Sequence, residues 1–209
     1  MSQTEPTRFA RRTLLLLTGP HPGELAEILR YLTQGAEPRF VPNEIVLITP
    51  YKEPEPLRQM LIAPLTDWVR GFCQEFALPP IQFGPANIHG VPTARDTRHH
   101  GTARPESSHS AADVILDVVS QLAEDRNRAI HASIASSARA LGEPLRYALS
   151  LFGRPQDRLT LALLSAEPEP DKDCVLPLSV RLDGATYEFR MAEISFVRLG
   201  LKPALRPNR

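Results

Sequence analysis

Cysteine is scarce in this chain: Cys73 and Cys174 are the only two among 209 residues, far apart and without a CxxC spacing. Two isolated thiols neither staple a secreted fold nor assemble a zinc site, so they read as reduced thiols of a cytosolic protein. Net charge is lacking too, since 24 basic residues balance 24 acidic ones. That balance excludes a general polyanion binder such as a protein of long nucleic acid, and any phosphate ligand must be held by a local site. Long apolar runs are missing as well. "TLLLL" behind Arg11 and Arg12 imitates a secretory or twin-arginine signal, but the run stops at Leu17 and "TGPHPG" breaks it. It is too short for a signal core and lacks a small-x-small cleavage site, and nothing approaches a membrane span. The expectation is a cytoplasmic protein with no membrane partner. Internal repeats and low-complexity tracts are absent.

What is present is an alternation of strand and helix patterns. "TLLLLTG" (13–19) is a continuous apolar run ending in turn residues, as a strand buried on both faces requires. Glu24 opens a helix after it, with Leu25, Ile28, Leu29 and Leu32 at helical spacing. "NEIVLIT" (43–49) is a second buried strand. Residues 56–77 carry Leu57, Leu61, Leu65, Trp68, Phe72 and Phe76 on one helical face, and Pro64 is expected to kink or divide that helix. "IQFG" (81–84) reads as a short strand, and 85–110 as a long polar loop, functional or mobile. Ser110 caps the next helix, "RAIHASIA" is a strand, and a helix with Leu141, Leu145, Ala148 and Phe152 on one face stops at Gly153. "RLTLALLS" (158–165) follows as another strand. The tail changes period: "VLPLSVRL" and "ATYEFRMAEISFV" flank Asp183-Gly184 as an antiparallel hairpin. The fold class is therefore α/β, Rossmann-like and doubly wound. Its mainly parallel sheet carries helices on both faces and an antiparallel C-terminal extension. We expect a flexible stretch over 1–12, the main domain over 13–170, and a hairpin extension over 171–209 on the same domain or a dimer partner.

In such sheets ligands lie at the carboxyl ends of the strands. Two loops there are unusual: "TGPHPGE" with Thr18, Gly19, Pro20 and His21, and "ASSAR" with Ser136, Ser137 and Arg139. Small residues let backbone amides approach an anion, and an arginine adds a bidentate cation for phosphate. The same small residues also suit tight strand-to-helix packing, with Arg139 merely solvated, and spacing alone leaves both readings open. Neither loop fits GxGxxG or the Walker pattern, so an ordinary dinucleotide or ATP site is not indicated. His21 can move protons near neutral pH or donate to phosphate, or stand as an exposed histidine between two prolines. Arg95, Asp96 and Arg98 in the long loop read as a ligand clamp, as pairs with each other or, by default, as solvated loop charges. His99, His100 and His109 have no acidic or cysteine partner at ligand spacing, so no metal is assigned.

Taken together, the segments resemble the CRISPR-associated ring nucleases of the CARF (CRISPR-associated Rossmann fold) superfamily, in its branch of short stand-alone proteins. The resemblance is most specific over "HASIASSARALGEPLRYALSLFGRPQDRLTLALLS" (131–165). There the family shows "SIAGGRKTM", a helix ending "SLFGR.QDRLSHVL" and the next strand. "AEISFVRL" (192–199) is similar to the C-terminal signature, "TLLLLTGPHPGELAEIL" takes the place of the first strand and ligand loop, and "ARDTR" (94–98) is similar to an Asp-Ile-Arg-Thr segment. The resemblance implies a homodimer that holds a cyclic oligoadenylate, typically cyclic tetra-adenylate, across its two-fold axis. It implies cleavage by the substrate's own 2′-hydroxyl, without metal or cofactor, to end type III CRISPR signalling. At the site the residues differ from the family's. His21 stands at the position of a serine, Ser136 and Ser137 replace paired glycines, Ala138 replaces an arginine and Arg139 a lysine. That serine and lysine are the family's catalytic pair, so the resemblance makes His21 and Arg139 the catalytic candidates. Thr18, Gly19, Pro20, Ser136, Ser137, Arg95 and Arg98 become the ligand-binding ones. Pro144 falls where the family's helix is under way, so the helix here kinks or starts later. Two other readings stay open: a sensor or sponge that binds the ring without cutting it, and a structural or regulatory CRISPR partner with no nucleotide ligand.

Overall fold

The four leucines Leu14 to Leu17 are all fully buried, which a strand achieves only when both of its faces are covered. They belong to β1 (Arg11–Leu17). The chain continues through α1 (Pro22–Arg30), β2 (Glu44–Thr49), α2 (Pro54–Glu75), β3 (Ile88–Gly90) and α3 (Ala111–Glu124). It then forms β4 (Arg128–Ile134), α4 (Gly142–Phe152), β5 (Arg158–Ser165), β6 (Leu178–Leu182) and β7 (Ala185–Glu193). The computed structural model describes residues 9–18, 22–36, 38–49, 54–91, 110–165, 178–182 and 185–201.

The sheet has seven strands in the order β3-β2-β1-β4-β5-β7-β6. The pairs β1/β2, β2/β3, β1/β4 and β4/β5 are parallel. β7 runs antiparallel to β5 and to β6, so the hairpin extends the sheet of its own chain. Side-chain alternation sorts the core into two layers. Leu14, Leu16, Ile45 and Leu47 pack with Leu25, Ile28 and Leu29 of α1 and with Leu65, Val69 and Phe72 of α2. Leu15, Leu17, Val46, Ile48, Ile130 and Ala132 pack with Ile115 and Val119 of α3 and with Leu145 and Leu149 of α4 on the other face. The doubly wound Rossmann-like fold follows from that division.

Local chemistry sets several boundaries. Ser110 caps α3: its Oγ accepts from Asp113 N at 3.2 Å, while the Asp113 carboxylate accepts from Ser110 N at 2.9 Å, a reciprocal capping box. α4 ends where the backbone of Gly153 turns extended, and the position requires glycine for want of space rather than for a left-handed turn. Its N–H donates to Leu149 O at 2.7 Å, and a Cβ there would lie 2.3 Å from that oxygen and 2.9 Å from the Phe196 ring. Pro144 falls in the first turn of α4, where no intrahelical donor is lost, and the chain from Ser136 to Leu141 is a separate 3-10 segment.

Two expectations need correction. α2 is not divided at Pro64 but runs from Pro54 to Glu75, so the loss of one backbone donor does not break it. The third strand is Ile88–Gly90, inside the stretch read as loop, whereas 81–84 contributes only an isolated bridge from Gln82 to Glu44. Among the described residues no helix is long and apolar enough to cross a membrane.

Candidate functional site

The strand order places the topological switch between β1 and β4. From β1 the chain winds outward through β2 and β3, and from β4 it winds the other way through β5. The crevice outside the carboxyl ends of those two strands is where open α/β sheets hold ligands, because flanking loops diverge there. Thr18 leaves β1 at this point, its N–H donating to Ile48 O at 3.0 Å. Ala135 leaves β4 beside it, its N–H on Leu17 O at 2.8 Å. Pro22 begins α1, and Glu24 lies in the first turn.

Ser136, Ser137 and Thr18 converge, and the group they converge on is the Glu24 carboxylate. Ser136 Oγ donates to Glu24 Oε1 at 2.5 Å, and Ser137 N donates to the same oxygen at 3.2 Å. Ser137 Oγ donates to Oε2, which also accepts from Thr18 Oγ1 at 3.4 Å. Glu24 is only 8% exposed, so these donors replace the water that a carboxylate needs. No lysine or arginine among the described residues pairs with it. Ala135 and Ala138 are buried, and a Cβ on Gly142 would stand 3.1 Å from Ile134 Cδ1. The small residues thus divide between two structural tasks. The alanines and the glycine serve packing, and the serines serve polar contacts.

Arg139 is exposed, and its side chain makes no hydrogen bond or ion pair among the described residues. It lies in the same 3-10 segment as the serines, its guanidinium available to an incoming anion. Gly19, Pro20, His21, Arg95 and Arg98 lie outside the described residues, as do His99, His100 and His109. Glu24 is the site residue that sequence reasoning passed over, using it only to open a helix. The available signal was its place just beyond the first strand's carboxyl end, opposite serines at the carboxyl end of the strand paired with it.

The most specific sequence signatures occupy the other end of the sheet. Asp157, fully buried, accepts from Arg154 N at 2.8 Å, Arg154 Nε at 2.9 Å, Arg154 Nη2 at 3.1 Å and Ile130 N at 2.9 Å. Arg154 Nη1 donates to Asp125 O at 2.5 Å, just beyond α3. Arg198 of the C-terminal signature donates to Arg154 O at 3.1 Å and Asp157 O at 3.0 Å, and its guanidinium lies 4.6 Å from the Phe196 ring centroid. These segments clamp the amino ends of β4 and β5. Residues 22–182 match the family described as CRISPR-associated protein NE0113 (Cas_NE0113).

The chain belongs to this family. Within this Cas_NE0113 chain the matched region contains Glu24, Ser136, Ser137 and Arg139 together with the Arg154–Asp157 clamp, while Thr18 precedes it. No curated protein matches the chain.

Proposed function

We propose that this CRISPR-associated protein binds a cyclic oligoadenylate, in the cyclic tetra-adenylate class, across the two-fold axis of a homodimer and opens it by phosphodiester cleavage. The observation that carries the reading is the cluster of donors at the switch point, Thr18, Ser136 and Ser137, with the guanidinium of Arg139, unpaired among the described residues, in the segment of the two serines. Near-zero net charge agrees with a small anionic ring held locally better than with a long polyanion. A ring with two-fold symmetry suits a dimer that presents one patch twice.

The cleavage needs no external nucleophile. The ribose 2′-oxygen attacks the adjacent phosphorus, an O2′–P bond forms, and the P–O5′ bond breaks. The 2′-hydroxyl proton leaves and the 5′-oxygen gains one, so no water is consumed and the products are linear adenylates with 2′,3′-cyclic phosphate ends. The protein's part is to hold the 2′-oxygen in line and to stabilise charge on the phosphoryl oxygens. Arg139 suits the second task, but a guanidinium cannot release a proton near neutral pH. Proton movement thus falls to His21, since histidine is the side chain most often used as general acid and base.

That division of labour also supports the second reading, a sensor that holds the ring intact, since Arg139 alone binds without moving protons. One assay decides between them: labelled cyclic tetra-adenylate, purified protein, EDTA, and resolution of the products. Linear adenylates with cyclic phosphate ends are expected, with the rate falling about a hundredfold or more in Arg139→Ala or His21→Ala. Tight binding with the ring intact overturns cleavage and leaves the sensor. Absence of binding overturns both and leaves a structural partner of the CRISPR machinery.

A further inference from the structure

We propose that Glu24 is a displaceable internal occupant of the ligand's anion site, so that phosphate binding at the switch point is coupled to release of this carboxylate. The inference rests on the nucleotide reading above and concerns how that same site is regulated. Three hydroxyl groups and one backbone N–H, from Thr18, Ser136 and Ser137, converge on the two oxygens of one side chain. A donor set that grips both oxygens of a carboxylate suits two oxygens of a phosphodiester equally well, because both are planar-facing, bidentate, singly charged acceptors. The two cannot be held at once: like charges on one donor set exclude each other.

Two features make the carboxylate the group that yields. Its recorded partners are neutral donors, with no lysine or arginine paired to it among the described residues, so no buried ion pair need be broken. A phosphodiester, in contrast, can engage the Arg139 guanidinium in the same segment while it takes the serine donors. Glu24 lies in the first turn of α1, and on this proposal rotation about its own side-chain bonds withdraws the carboxylate from the donors. Each serine hydroxyl then turns from Glu24 to the ligand.

The consequence is opposite to that of a purely structural contact. A contact that only orders the loop predicts weaker ligand binding when it is removed. A competing occupant predicts tighter binding. The test measures equilibrium binding of fluorescent cyclic tetra-adenylate in EDTA to the full-length wild-type protein, Glu24→Gln and Glu24→Ala, with thermal melts of each ligand-free protein. Glu24→Gln keeps the size and removes the charge, so it decides the matter even if Glu24→Ala fails to fold. The expected result is binding about tenfold tighter or more in Glu24→Gln, the factor that one charged hydrogen bond carries. Adding Ser136→Gly and Ser137→Gly should shrink the Glu24→Gln effect to less than about twofold, because the contested donors are gone. Binding by Glu24→Gln with none by wild type also supports the proposal, as a site locked by its own carboxylate. Equal or weaker binding in Glu24→Gln, beside measurable wild-type binding, overturns it. Absence of binding by every protein overturns the nucleotide reading, and this proposal with it.

Discussion

His131 sits on β4 with its ring against Phe40, centroids 5.1 Å apart, and its Nε2 3.1 Å from Thr160 Oγ1. Its Nδ1 is buried without a hydrogen-bond partner among the described residues. A second proton would put a charge into that apolar layer, so burial pushes the pKa down from 6.5 to about 4, and the nearby positive charge of Arg158 pushes the same way. In the unfolded chain the imidazole takes its proton near its ordinary value, whereas the folded protein refuses it until about pH 4. The unfolded state therefore binds more protons between those two values, and stability falls as pH drops through that window. The loss expected from this one group is about 3 kcal/mol by pH 4. Melting wild type and His131→Leu from pH 7.5 to 4 checks it: the wild-type curve should fall more steeply, and parallel curves would refute the assignment. The strand around His131 was legible in "RAIHASIA", but its depth was not, because a histidine inside a strand is compatible with either face until the covering helices are known. Glu24 was hidden for a related reason: it meets Ser136 across 112 positions of chain, and no local spacing records that.

Elements with strong periodicity were readable and short ones were not. β1, β2, β4 and β5 announce themselves by apolar runs because both faces of each are buried. β3 has only three residues, too few to show any period, and it is specified by pairing with Leu47 to Thr49 of β2. The turn between α4 and β5 was recognised as the most specific signature, and its chemistry explains that. One carboxylate, Asp157, fixes the backbone of Arg154, the Arg154 side chain and the edge of β4 together. Few other residues could do this, since four donors must meet two oxygens at one buried point. Asp157→Ala leaves the Ile130 N–H and the Nε and Nη2 of Arg154 without their acceptor. The expected cost is about 3 kcal/mol or more, read from urea unfolding at neutral pH. A change below about 1 kcal/mol would mean that the turn is held by its other contacts.

Two polar clusters thus lie at the two edges of one sheet, where its strands begin and where they end. The Arg154–Asp157 clamp and the Arg128–Glu44–Thr13 network, in which Arg128 Nη1 donates to Thr13 Oγ1 at 2.5 Å and pairs with Glu44, lie at the amino ends of the strands. The Thr18–Glu24–Ser136–Ser137 cluster and Arg139 lie at the carboxyl ends. Substitutions at the two edges should then separate stability from binding. Asp157→Asn keeps the shape of the clamp but weakens its charge-assisted bonds, so it should lower the melting temperature while leaving the dissociation constant for cyclic tetra-adenylate within about twofold. Arg139→Ala removes an exposed side chain with no partner among the described residues, so its melting temperature should stay within about 2 °C of wild type. Its effect on binding carries information about symmetry. One lost charge-assisted contact costs about tenfold in affinity. A ring seated on a two-fold axis meets Arg139 of both subunits, and the two independent losses multiply to about a hundredfold. A loss near tenfold, with one ring per subunit by titration calorimetry, would place the ligand wholly within one subunit and overturn the shared two-fold site.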